Sequence, residues 1–84
     1  MRMATDMSST FDKCRQRGLE LGAIVVTPPH NGFTMGRRGR LHFSYVMVRY
    51  PDRSVVGYKP ELLRPATAEQ ALAYATKYEG YRDE

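Results

Sequence analysis

Apolar and polar positions along this chain change period twice, from helical spacing to strand-like runs and back again. Residues 1–8 carry no pattern and are expected to be disordered. Ser9 then offers a helix N-cap with Asp12 three residues on, and Phe11 and Cys14 fall on one helical face. Gly18 is suited to the left-handed stop, so a short helix is predicted over 9–18. From Leu21 the run LGAIVVT is apolar and β-branched, a strand that the Pro28-Pro29 pair should end by removing two backbone donors. Residues 28–40 read as a loop, with Asn31-Gly32, Gly36 and Gly39 supplying positive φ. Phe33 and Met35 within it are expected to tuck in as lids.

RLHFSYVMVRY, residues 40 to 50, is strand-like throughout, yet its apolar phase slips. Leu41, Phe43, Tyr45 and Met47 share one phase, while Val46, Val48 and Tyr50 share the other. A bend or tight turn near Ser44-Tyr45 reconciles them by making two strands. Pro51-Asp52-Arg53-Ser54 is a turn by composition, since proline presets φ and Asp can bond onward to the backbone. SVVGY follows as another short strand. YKPELLRP reads as one turn of 3₁₀ helix, with Leu62 and Leu63 plugging the core. Thr67 then caps a second helix with Gln70 at the capping-box position; Ala68, Ala71, Leu72 and Ala75 form its apolar stripe, and Gly80 ends it.

Short strands joined by tight turns predict a mainly β fold, a small antiparallel barrel over 20–65 between a short N-terminal helix and a C-terminal helix over 67–80. Residues 9–84 then form one domain. Its expected core is Leu21 or Ile24, Val26, Leu41, Phe43, Val48, Val56, Leu62 and Leu72. The order LGAIVV, GFTMGRRGRLHF, VMVRY, YKPELLRP over about residues 19–65 resembles the SH3-like small barrels with a KOW-type element. Gly22, Ile24 and Val26, then Gly36 and Gly39, then Leu41 carry that resemblance. The double proline enlarges the first loop, and the second and third strands are joined almost directly; both depart from the pattern. KOW-type barrels commonly bind RNA or the transcription and translation machinery, so the resemblance implies a binding module, although fold alone does not fix function.

Charge sharpens this picture. The net charge is +4 over 84 residues, but the middle of the chain is far more basic than its ends. Between residues 15 and 64 stand arginines 15, 17, 37, 38, 40, 49, 53 and 64 with Lys59, against only Glu20, Asp52 and Glu61. Arginine suits bidentate phosphate or carboxylate contacts. Gly36-Arg37-Arg38-Gly39-Arg40 is therefore the leading candidate site: the glycines would turn backbone N–H groups outward as an anion nest, and the arginines supply charge. Arg37, Arg38 and Arg40 would be joined by Arg49 and Arg53, and by Arg15 and Arg17 if all lie on one face. The plain alternative is that the glycines serve only the turn and the arginines sit in water.

Enzymatic chemistry finds no foothold. No paired carboxylates, metal-ligand spacing or activated nucleophile is present, and the glycine-rich stretch lacks the G-K-[ST] of a phosphate-binding loop. His30 and His42 have no catalytic partner placed by any motif, Cys14 reads as a packed side chain, and no cofactor or metal is expected. Tyr74, Tyr78 and Tyr81 form a stripe on the second helix, either packing against the barrel or offered to a protein partner. No apolar run reaches the roughly 20 residues of a membrane span, and no secretory leader is recognisable, so a cytoplasmic location is expected. Two readings stand: a small basic module binding nucleic acid or a nucleoprotein machine, or a phage- or plasmid-type adaptor or inhibitor meeting an acidic protein. The oligomeric state is left open.

Overall fold

In the computed structural model of the protein, residues 6–30 and 33–80 are described, leaving aside the side chains of residues 6–8, 30 and 33. The expected disorder of residues 1–5, the Asn31-Gly32 turn, the Phe33 lid, the His30 side chain and Tyr81 lie outside this description. The chain runs α1 (Asp6–Arg17), β1 (Ile24–His30), β2 (Phe33–His42), β3 (Tyr45–Arg49), β4 (Val55–Tyr58), a 3₁₀ turn (Pro60–Leu62), β5 (Arg64–Pro65) and α2 (Ala68–Tyr78). The strands make one antiparallel sheet in the order β4-β3-β2-β1-β5. The fold is thus mainly β with a helix at each end, as the pattern predicts.

The expected barrel does not close. β4 and β5 remain at opposite edges of the sheet, and β5 has only two residues with which to pair. One face of the sheet is covered by α1 instead. Cys14 and Leu19 pack there with Val25, Val46, Val48, Tyr50, Tyr58 and Leu63 in one buried cluster. Helix α1 begins at Asp6, ahead of the Ser9 cap, so residues 6–8 of the expected disordered segment 1–8 are helical, since nothing in them opposes helix. It ends as expected at Gly18, whose φ is +74°. Leu19 N donates to Cys14 O at 2.8 Å and Gly18 N to Arg15 O at 3.3 Å, a Schellman closure that carries Leu19 into the core.

The double proline does not end β1, which continues to His30. Pairing with β2 holds from Ile24↔Arg37 to Val26↔Met35, slips, and resumes at His30↔Phe33. The prolines fall in the slip, where no ladder donor is required. The split of residues 40–50 is found where the phase change places it: β2 ends at His42, Phe43-Ser44 turn, and β3 starts at Tyr45. Asp52 shapes the next turn by accepting from the Ser54 amide at 2.9 Å and the Ser54 hydroxyl at 2.6 Å. These bonds, the hydroxyl's first, hold its carboxyl below the usual range.

The core differs from expectation in instructive ways. Ile24 and Val48 are buried, and Val26, Leu41 and Val56 are partly so. Leu21, Phe43, Leu62 and Leu72 are exposed. Consecutive residues of the 3₁₀ turn and its cap point apart, so Leu63 fills the core (0% exposed) while Leu62 faces out (54%). On α2 the buried face is Ala71, Tyr74 and Ala75, about a hundred degrees of helical rotation away from Leu72. Thr67 and Gln70 form the expected capping box at its start.

Candidate functional site

Gly36 to Arg40 is not a loop. It is the middle of β2, and neither glycine takes a positive φ. Their role is close approach. A Cβ at Gly36 would stand 2.7 Å from both Arg49 O and Val48 Cγ1, and one at Gly39 would stand 3.1 Å from Met47 O. The expected anion nest of turned-out backbone amides is therefore absent from this segment, since Arg38 N donates to Ala23 O at 2.8 Å within the sheet.

Strand geometry then sorts the arginines by face, because successive side chains alternate. Arg37 pairs with Arg49 and Arg38 with Val48. Val48 is fully buried under α1, so Arg38 is carried to the covered face and is only 7% exposed. Its Nε has no hydrogen-bond partner. Beyond it the register shifts by one between Arg38 and Leu41, a bulge in which Gly39 and Arg40 together oppose Met47. Arg40 is thereby turned out and exposed.

Arg37, on the open face, is occupied. It holds Glu79, just past α2, in a two-point ion pair, Nε to Oε2 at 2.8 Å and Nη2 to Oε1 at 2.5 Å, while Nη1 donates to Gly22 O at 2.6 Å. The hydrogen bond from Arg37 is the main cause holding the Glu79 carboxyl below its ordinary 4.5, with burial opposing and Arg49 adding to the effect. The same bond raises Arg37. Arg37 is thus a clasp between sheet and helix.

The remaining cations surround two adjoining grooves on the open face. One, of about 710 Å³, is lined by Leu21, Arg37, Arg40, His42, Met47, Arg49 and Val55 among others, and the 7% of Arg38 that remains exposed also borders it. The second, of about 620 Å³, runs on between the β3–β4 turn and α2, past Arg49, Arg53, Tyr74, Tyr78 and Glu79. Arg49 borders both. Arg53 sits at φ +75° at the top of its turn. Arg40, Arg49 and Arg53 are all exposed, and none takes part in an ion pair among the described residues. Arg17 does not join them, since its Nη2 donates to Leu63 O at 2.9 Å. Arg15 lies over the Phe11 ring on α1, across the sheet. Of the tyrosine stripe, Tyr74 is packing (3% exposed), and burial is the main cause raising its phenol. Tyr78 is exposed beside the second groove with its ring 5.3 Å from that of Tyr74.

The floor beneath the strands is fixed by a chain of hydroxyls. Thr27 donates to Pro28 O at 3.2 Å, and hydroxyl–hydroxyl hydrogen bonds link Thr27 to Tyr50 at 2.8 Å and Tyr50 to Tyr58. Burial is the main cause pushing the Tyr50 phenol up to about 12, with the Thr27 hydrogen bond opposing and Tyr58 adding to the rise. Among the described residues, no group of three or more His, Cys, Asp or Glu converges as a metal site, and no helix is long and apolar enough to cross a membrane. Sequence reasoning passed over the groove's apolar members Leu21, Met47 and Val55. For Met47 a signal was present in the Tyr45-Met47-Arg49 alternation. No family model matches the chain, and no curated protein or solved structure shows significant similarity to it.

Proposed function

We propose that the protein is a non-enzymatic binding module that takes the phosphate backbone of a nucleic acid along the open face of its sheet. The observation that carries this reading is the row Arg40, Arg49 and Arg53, exposed, without ion pairs among the described residues, and bordering adjoining grooves on one face. Side chains of this type neutralise phosphates and release condensed counterions. Arg38 leaves the expected set because it is buried, and Arg37 because it holds Glu79. The sequence resemblance of residues 19–65 to KOW-type elements points to the same function, although the G-x-x-G segment is strand and the sheet stays open.

The test is binding to generic single- and double-stranded nucleic acid across a salt series. Affinity should fall as salt rises, with each phosphate contact contributing about −0.7 to the slope of log K against log salt for single strands and about −0.9 for duplex. Absence of any nucleic-acid binding near physiological salt, together with recovery of a specific acidic protein on the same arginines, would establish the adaptor reading instead.

A further inference from the structure

The tip of the β2–β3 hairpin displays rings where a small domain would ordinarily bury them. Phe43 is 59% exposed and Tyr45 43% exposed. Phe43 also holds φ at +56°, a region that costs a bulky residue energy unless its surroundings enforce it. They do: buried Thr10 donates from Oγ1 to Phe43 O at 2.9 Å, tying the turn to α1. The His42 ring meets the Phe43 ring edge-on at 4.6 Å, and His42 lines the groove that Arg40 and Arg49 border. Tyr45, Met47 and Arg49 follow at alternate positions of β3, on one face. Gly57 keeps that face level, since a Cβ there would press on Met47 Sδ at 3.2 Å and Tyr45 Cβ at 3.4 Å. Lys59 Nζ lies 5.7 Å from the Tyr45 ring centroid. Exposed rings at one end, joined through His42 to a groove bordered by arginines without ion pairs among the described residues, set a platform for bases beside a track for phosphates.

We infer that the ligand is single-stranded nucleic acid, with unpaired bases stacked on Phe43 and Tyr45 while the backbone passes Arg40, Arg49 and Arg53. This rests on the polyanion reading above and narrows it. Duplex DNA or RNA keeps its bases stacked on each other and offers rings of this kind no free face, whereas a single strand offers one at every nucleotide. Charge complementarity selects a nucleic acid over an apolar protein segment for the exposed tip.

The experiment measures binding of a short oligothymidylate, its duplex with oligoadenylate, and inorganic polyphosphate. The variants are Phe43→Asn and Tyr45→Thr, with Phe43→Tyr and Tyr45→Phe as conservative partners. Asn tolerates the left-handed backbone at position 43 and Thr suits a strand, so both should fold. Loss of each ring should weaken the oligothymidylate by roughly 5- to 150-fold and leave polyphosphate unchanged, while the conservative variants retain affinity. Phe43→Trp adds the chain's sole tryptophan, and its fluorescence should quench with oligothymidylate but not with polyphosphate. Equal affinity for single strand and duplex, or ring variants that bind oligothymidylate like the parent, would overturn the stacking inference while leaving the arginine track standing. Failure of all three ligands to bind would remove both.

Discussion

A methyl group at position 36 has nowhere to go, because the nearest atoms include the Arg49 carbonyl oxygen, which the sheet itself holds in place. Gly36→Ala should therefore destabilise by about 1–3 kcal/mol through overpacking, read as a lower urea midpoint. Parent-like stability would show that β2 and β3 can part at that point. The two neighbouring leucines make an equally sharp contrast. Leu63→Ala should cost about 2–5 kcal/mol, whereas Leu62→Ala should stay within about 0.5 kcal/mol, and a reversal of the pair would place the 3₁₀ turn one residue out of register. Arg38 is the residue most changed from its sequence reading. A largely buried arginine with an orphan Nε is a cost to the fold, so Arg38→Met should leave stability equal or higher and nucleic-acid affinity unaltered. A loss of affinity without a loss of stability would return Arg38 to the binding set. Nothing local in G-R-R-G-R distinguishes glycines needed for a turn from glycines needed for close packing of strands; the deciding atoms, Arg49 O and Val48 Cγ1, lie more than ten residues away in sequence.

At the scale of elements, the helices hold the sheet by different means. α1 contributes Cys14, Leu19 and the Thr10 hydroxyl to buried contacts, but α2 buries one large side chain, Tyr74, and depends on the Arg37–Glu79 pair beyond its end. Such a partly exposed pair is worth little globally, so its effect should be local. Glu79→Gln should speed amide exchange across α2 while the strands keep their protection; unchanged exchange would mean that Tyr74 suffices. Glu79 has a depressed pKa in the folded state, so its contribution is present above about pH 4.5 and is lost as pH falls through the lower folded value. α2 should therefore loosen in acid before β1–β4 do. Most elements were legible from sequence, since the split at Ser44, the Asp52 turn, the Gly18 stop and the Thr67 cap each follow from a short-range rule. Residues 33–39, however, read as a loop, are the first part of the central strand β2. What the sequence hid was set by tertiary pairing, as where the slip between Val26 and His30 absorbs two prolines and lets β1 run on.

In the whole molecule, one sheet separates two environments. The face under α1 is filled with apolar side chains and the linked hydroxyls of Thr27, Tyr50 and Tyr58, with the largely buried Arg38 beside them; the open face carries Arg40, Arg49 and Arg53 above Met47 and Val55. The basic middle of the chain was plain from composition, yet which cations act together depended on a one-residue bulge at Gly39-Arg40 and on the partner that Arg37 finds in Glu79. The most direct test is the salt dependence of single-stranded nucleic-acid binding for the parent and for the triple variant Arg40→Gln, Arg49→Gln, Arg53→Gln, with Arg38→Met as control. Three lost phosphate contacts should flatten the slope of log K against log salt by roughly 2, with the control keeping the parent slope. A triple variant that retains the parent slope would contradict the assignment of this face as the phosphate track.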